Sequence, residues 1–321
     1  MVDSLEKIPL LAVVGPTASG KTKLAVALAR RYGGEVVSAD SMQIYRGMDI
    51  GTAKPDAGEM QGVPHHLLDV ADPGERFSVA DYVRLAAASI REIRARGRLP
   101  IVAGGTGLYI ASLLDNLTFD ETGEDPALRA RLRAEAREKG GQALLDRLAA
   151  FDPACAAKLH PNNLNRIIRA IEVYETSGVT MTRLQADSRR SPSPYDPCML
   201  GLFYSDRSAL YERIDRRVDA MLADGLADEV RRLQAAFGPT AMQAIGYKEI
   251  AAALRGETSM EAATELVRRG TRHYAKRQMT WFKRDERVRW IDCWDVSGGR
   301  VRPFGDIFRD ACAIVDKWCG V

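Results

Sequence analysis

The sequence predicts an α/β fold, a parallel sheet core that carries a phosphate-binding loop and accepts a helical insertion. Three observations carry that expectation. Residues 8–22 run from a short apolar stretch straight into the glycine-rich segment GPTASGKT. A helical pattern and a second β-branched run, EVVSAD at 35–40, follow at once, giving strand, loop, helix, strand. Between about 120 and 195 strand-like runs give way to highly charged helical sequence.

Each element has its own signal. IPLLAVV, residues 8–14, is the short apolar run of a buried strand. Lys21 to Arg31 places apolar residues on one helical face, and Gly33–Gly34 ends it. Ser78 to Arg96 is a basic amphipathic helix leading into LPIVAGGTG, residues 99–107, a strand that again ends in glycines. CMLGLFYS, residues 198–205, fits a later strand of the same sheet. The helical insertion returns through SRRSPSPYDP, residues 188–197, whose three prolines mark a linker. The core therefore comprises 1–119 and 196–321, with 120–195 as the insertion. After Asp206 the chain is mainly helical to about Lys283, and no internal repeat is present.

Composition narrows the class. The 321 residues are 46% hydrophobic and 28% charged, as in ordinary soluble proteins. No apolar run reaches membrane-spanning length, and MVDSLEKIPLLAVVG has acids where a signal peptide needs basic residues. Five cysteines with no C-x-x-C pair argue against a disulfide framework or zinc site and fit a cytoplasmic protein. Net charge is only +3, but 266–290 carries nine Lys/Arg against Asp285 and Glu286, interleaved with aromatic residues. Such a field suits a polyanion.

GPTASGKT satisfies G-x-x-x-x-G-K-[ST] through Gly15, Pro16, Thr17, Ala18, Ser19, Gly20, Lys21 and Thr22. The two glycines let successive N–H groups point inward, Lys21 adds a compact charge, and the Thr22 hydroxyl is suited to ligate Mg²⁺. The helix behind it presents its positive end. The core is thus P-loop NTPase-like. The motif specifies a di- or triphosphate and does not specify a nucleotide.

Asp40 closes its strand near those phosphates and suits three roles: a residue behind a metal ligand, a base, or a helix N-cap. Ser41 and Gln43 suit a base edge, and Gly51, Thr52 and Lys54 form another polar turn. Thr106, in GGTGLY, stands where a hydroxyl can donate to a leaving oxygen. The strand before it lacks the terminal Asp of an ordinary ATPase. Arg166 and Arg169 share a helical face, and Arg216 and Arg217 lie in reach of an anionic ligand. QAIGYKE (243–249) and KRQMTWFKR (276–284) mix cations with aromatic rings, as in proteins that neutralise phosphates and stack unpaired bases.

Taken in this order, GPTASGKT, DSMQIYRGMDIGTAKP, GGTGLY, RAIEVYE, AIGYKE and KRQMTWFKR resemble the tRNA dimethylallyltransferase (tRNA isopentenyltransferase) family over essentially the whole chain. With no Cys/His set for a zinc finger, the chain is similar to the bacterial type. The resemblance implies transfer of a dimethylallyl group from dimethylallyl diphosphate to N6 of the adenosine 3′ to the anticodon. It implies that the P-loop cradles the donor's diphosphate with Mg²⁺, and that the helical insertion helps hold the tRNA anticodon stem-loop; a monomer is expected, because one protein can enclose one stem-loop.

Asp40 matches the family's acid, with Lys21, Thr106 and Arg217 stabilising the leaving diphosphate. Asp40, Ser41, Met42 and Gln43 match the adenine-contacting segment. Arg129 and Asn165, Arg166, Ile167, Ile168 and Arg169 match tRNA-contacting positions, with Asn165 where Gln is common. Gln243, Ala244, Ile245, Gly246, Tyr247 and Lys248 form another such segment. Lys276, Arg277, Gln278, Met279, Thr280, Trp281, Phe282 and Lys283 form the last.

Overall fold

A computed structural model describes residues 7–118, 123–238 and 240–320. The chain divides into two units, Met1–Leu114 with Pro194–Val321, and Asp115–Ser193. The sequence boundaries at 120 and 195 lie slightly later than these.

The first unit is built on a sheet of β1 (Ile8–Val14), β2 (Gly34–Ser38), β3 (His65–His66), β4 (Leu99–Ala103), β5 (Tyr195–Phe203) and β6 (Val288–Asp292). The spatial order is β3-β2-β4-β1-β5-β6, with every pairing parallel. Parallel strands need cover on both faces, and β1 meets that need with an unbroken apolar run. Leu11 and Val13 pack with the helices Lys21–Tyr32 and Phe304–Cys319, while Leu10, Ala12 and Val14 pack with the helix Val79–Ala95. Ser78 and Asp81 start that last helix with a reciprocal capping box. A third apolar cluster joins Ile44, Tyr45 and Met48 to the helices Leu226–Leu233 and Tyr247–Leu254. No described helix is long and apolar enough to cross a membrane, and all five cysteines are free thiols.

Two elements differ from the sequence expectation. The proposed linker ends early, because Tyr195–Pro197 already belong to β5. Proline is tolerated there because β5 pairs only with β1 at that level and meets β6 from Met199 onward. Beyond the helical stretch that the sequence ends near Lys283, the chain forms β6, a strand the sequence does not reveal because exposed Arg289 interrupts an otherwise strand-like VRWID.

The second unit is helical: Pro126–Lys139, Gly141–Phe151, Pro153–Ala156, Leu164–Ser177 and Met181–Asp187. Leu132, Leu144, Leu148, Ile167 and Ile171 fill its core. Glu172 is fully buried beside them. Its Oε1 accepts from Arg129 Nε and Asp125 N at 2.8 Å each. Its Oε2 accepts from Arg129 Nη2 at 2.8 Å and Arg169 Nη1 at 2.7 Å. Burial alone would raise its pKa, but these bonds outweigh burial and hold the carboxyl below the usual range.

That cluster gives a stability expectation. Glu172→Ala removes the buried acceptor of four hydrogen bonds from Arg129, Arg169 and Asp125 N, which costs about 3–5 kcal/mol. Hydrogen exchange in Pro126–Lys139 and Leu164–Ser177 measures it. A change under about 1 kcal/mol would mean that the cluster is incidental. Because the folded pKa is depressed, this stabilisation is present above the ordinary carboxyl pKa and is lost as pH falls through the folded value.

Candidate active site

The loop between β1 and the helix Lys21–Tyr32 stands at the carboxyl edge of the sheet, where β4 and β2 also end. Gly15 has φ 137 and lies so close to β5 that a Cβ would sit 2.5 Å from Leu202 O. Gly20 opens the helix at φ 94. β2 delivers Asp40 to the same edge, and β4 delivers Gly104, Gly105 and Thr106.

Distant residues hold this loop. Arg213 Nε donates to Ala18 O at 2.9 Å, and Arg217 Nη1 donates to Thr17 Oγ1 at 3.3 Å. Gln278 Oε1 accepts from Thr17 N at 2.8 Å, while its Nε2 donates to Gly105 O at 3.0 Å. Lys21 Nζ donates to Pro16 O at 2.7 Å. The two arginines are four apart on the helix Arg207–Ala223 and so share a face. Arg216, which the sequence names with Arg217, pairs with Glu212 and lines the outer cavity together with Arg217. A four-residue spacing was the signal for Arg213.

Asp40 Oδ1 accepts from Met42 N at 2.9 Å and Gln43 N at 3.4 Å, the geometry of a cap, while Oδ2 receives no hydrogen bond from a described residue. Thr106 Oγ1 accepts from Ser41 N at 3.0 Å and so ties the Asp40 turn to the end of β4. Thr106 is half-buried beside Gly104 and Gly105, which line the smallest of the site's cavities.

Three cavities meet here. One of about 70 Å³ is lined by Thr17, Lys21, Thr22, Asp40, Gln43, Arg217 and Gln278, among others. A second, of about 220 Å³, begins at Thr17, Asp40 and Arg217 and has Met42, Ile214, Val218, Met221, Ile245 and Val267 as its apolar wall. The third, of about 730 Å³, lies beyond Lys21 and Thr22 among Lys54, Arg213, Arg216, Asp49 and Asp224. Arg217 lines all three.

The electrostatics are unusual. Burial, and then the charge of Arg217, pull the Lys21 pKa down to about 7, with Asp40 opposing. Burial lowers the Arg217 pKa also. Neither cation forms an ion pair within 4.0 Å among the described residues. Tyr274, which the sequence did not single out, lines the apolar cavity; burial and the Asp40 charge push its phenol upward. Its signal was position i−4 from Gln278 on the helix Met260–Phe282. No cluster of three His, Cys, Asp or Glu exists among the described residues. The Thr22 hydroxyl beside this cavity fits Mg²⁺ whose other oxygens come from phosphates and water.

The blocks assigned to RNA divide by face. Asn165 and Arg166 are exposed, whereas Ile167 and Ile168 are core residues, and Arg129 and Arg169 are engaged by Glu172. Gln243 and Lys248 are exposed, and Ile245 is half-buried. Ala244, Gly246 and Tyr247 are buried, as are Gln278 and Phe282. Successive side chains of a helix point in different directions, so each block presents part of itself outward and part inward, Ala244 and Gln278 toward the site's cavities.

On Met260–Phe282, Arg268 and Arg272 pair inward with Asp219 and Asp215. Arg269, Lys276 and Arg277 stay exposed without a carboxylate partner among the described residues, and Lys283 and Arg284 continue that face beyond the helix. Trp281 is 39% exposed beside them, with Met279 half-buried and Thr280 exposed.

The sequence profile of the IPP transferase family matches residues 43–285. A tRNA dimethylallyltransferase of Symbiobacterium thermophilum is 52% identical over 314 residues, covering 97% of each chain. One from Acetivibrio thermocellus is 51% identical over 286 residues, 88% of this chain and 91% of its own. Among solved structures, the tRNA isopentenylpyrophosphate transferase of Bacillus halodurans superposes with TM-score 0.69 at 44% identity, covering 97% of this chain and 98% of its own. A eukaryotic dimethylallyltransferase acting on tRNA gives TM-score 0.76 at 29% identity, covering 90% and 75%.

The lowered Lys21 pKa has a measurable consequence for any anion in the loop. An anion raises that pKa, so binding takes up a proton where free Lys21 is neutral. Sulfate, whose own charge is constant there, should take up most of one proton at about pH 8 and little at about pH 6. Affinity should then fall as pH rises above about 7. Calorimetry in buffers of different ionisation enthalpy reads both, and a pH-independent proton count would contradict the assignment.

Proposed function

The chain belongs to the IPP transferase family, and on that premise we propose how its site carries out the family's reaction. It is a tRNA dimethylallyltransferase, a prenyl-transferring enzyme. Its donor is dimethylallyl diphosphate, and its acceptor is N6 of the adenine next to the anticodon, presented by the anticodon stem-loop. The observation that carries this reading is the pair Lys21 and Arg217: two withdrawn cations with no ion pair among the described residues, sharing the small cavity at the phosphate loop, from which Arg217 also reaches the apolar cavity. A diphosphate with a short branched chain has that distribution of charge and apolar surface.

The P-loop N–H groups, Lys21 and Arg217 hold the diphosphate, and Thr22 would hold Mg²⁺. Bound Mg²⁺ would supply further neutralisation of the phosphate oxygens. The prenyl chain and the adenine share the cavity walled by Met42, Ile214, Val218, Met221, Ile245 and Val267. The base must leave its stack to enter. The N6 lone pair forms the bond to the prenyl carbon as the carbon–oxygen bond breaks, and that electron pair leaves with the diphosphate. Asp40 takes the N6 proton through Oδ2, because Oδ1 is held by Met42 and Gln43 N–H groups. Thr106 acts by fixing Ser41 and so the Asp40 turn. The exposed face of Arg269, Lys276, Arg277, Lys283 and Arg284, with Trp281, is suited to the tRNA backbone and an unstacked base.

The deciding experiment incubates the protein with unmodified tRNA and radiolabelled dimethylallyl diphosphate, beside a parallel reaction with labelled ATP. Prenyl label should enter tRNA. Label passing only from ATP to a phosphoryl acceptor would replace this reading with a kinase. Asp40→Asn should slow transfer by about 100-fold or more while tRNA affinity holds, as loss of a general base does. A rate within a few-fold of the parent would remove Asp40 as the base. Arg217→Ala should raise KM for the prenyl diphosphate by about tenfold or more. An equal or larger rise in KM for tRNA would move Arg217 to the RNA side.

A further inference from the structure

We infer that Glu229, with Tyr247, is a positioning residue for the acceptor pocket, fixing the chain that decides which hydrogen-bonding edge Gln43 offers to the base. This rests on the reaction proposed above. Glu229 is 1% exposed and lines none of the three cavities, so it acts through its neighbours. Its Oε2 accepts from Asp49 N at 3.0 Å and Ile50 N at 2.8 Å. Its Oε1 accepts from Gly51 N at 3.0 Å and from the Tyr247 hydroxyl at 2.6 Å. No cation pairs with it among the described residues. Three consecutive amides and one phenol therefore satisfy a buried charge, an anion nest filled from within the chain.

Such an arrangement fixes backbone. Tyr247 is fully buried and lies so close that a Cβ on Gly51 would be 2.5 Å from its ring. Residues 49–51 are thus pinned by one carboxylate and one ring. The next two residues carry the effect toward the site. Gln43 Nε2 donates to Thr52 O at 3.3 Å and Ala53 O at 3.1 Å. Gln43 Oε1 accepts from Ser38 Oγ at 3.2 Å. Two carbonyls at one end and a hydroxyl at the other assign the amide's orientation. Both amide hydrogens are then spent, and only an acceptor lone pair on Oε1 remains for a ligand. Gln43 lines the small cavity, which shares Thr17, Asp40, Thr52 and Arg217 with the apolar cavity assigned to the base, and Gly51 and Thr52 line that apolar one. An acceptor at that position matches an amino group and opposes a carbonyl.

Glu229 also stands on the helix Leu226–Leu233, which follows the arginine helix Arg207–Ala223 across Gly225. Glu229 therefore lies 12 residues along the chain from Arg217, which grips the loop, and bonds to neither Arg213 nor Arg217. Loss of Glu229 should accordingly separate the two halves of the site.

The test compares Glu229→Ala, Glu229→Gln and Tyr247→Phe in the full chain. It measures kcat, KM for tRNA and the affinity for inorganic diphosphate. For Glu229→Ala, KM for tRNA should rise about tenfold or more while diphosphate affinity stays within about twofold, since bonds to a charged group are lost far from the loop. Glu229→Gln keeps one carbonyl acceptor but turns an NH2 toward the remaining donors, so it should recover only part of that loss. Unchanged kinetics in both Glu229 variants would overturn the inference. An equal loss of diphosphate affinity would also overturn it, since that is the mark of general unfolding. If Glu229→Ala does not fold, Glu229→Gln and Tyr247→Phe decide by the same two quantities, each expected to raise KM for tRNA selectively. Transfer by the parent is the control: no transfer sinks the proposed reaction, whereas transfer with unaltered variants sinks only this inference.

Discussion

Two buried cations that form no ion pair within 4.0 Å among the described residues govern this molecule. Lys21 closes the phosphate loop and Arg217 bonds its Thr17 hydroxyl, and both are desolvated. Asp40, the carboxylate nearest in effect to both, has given Oδ1 to backbone N–H groups. Keeping two like charges withdrawn from water is costly unless something compensates. The lowered pKa of Lys21 is the visible form of that cost, and a bound anion reverses it. The parallel order β2-β4-β1 and the clamps from Arg213 and Gln278 serve to hold these charges in place.

Elsewhere the fold satisfies its buried charges from within. Glu172 is enclosed by two arginines and a backbone amide, and Glu229 by three amides and a phenol. Arg268 and Arg272 spend their charge on a neighbouring helix. The distinction separates support from action. Charges with internal partners fix helices and turns, while those left open face the cavities or the exposed basic face.

Local chemistry was legible in the sequence. The phosphate loop is contiguous, so its strand, glycines, Lys21 and following helix could be named from spacing, and Asp40 from its place at a strand end. Blocks such as Gln243 to Lys248 and Lys276 to Lys283 were found but not divided. Helical periodicity inside them separates Gln278 and Phe282, which face inward, from Lys276 and Lys283, which face out. Pro197 and Arg289 obscured two stretches of strand because each is tolerated only at a level or edge where a neighbour is missing.

The sequence alone determined the sequence of elements, the anion-binding loop and the family resemblance, because each depends on residues a few positions apart. Only the tertiary structure decided which distant groups complete the site. Thr17 meets Gln278 across 261 residues, Ala18 meets Arg213 across 195, and the amides of 49–51 meet Glu229 across about 180. A hydrogen bond is set by distance and angle after the chain has packed, and no local spacing records it.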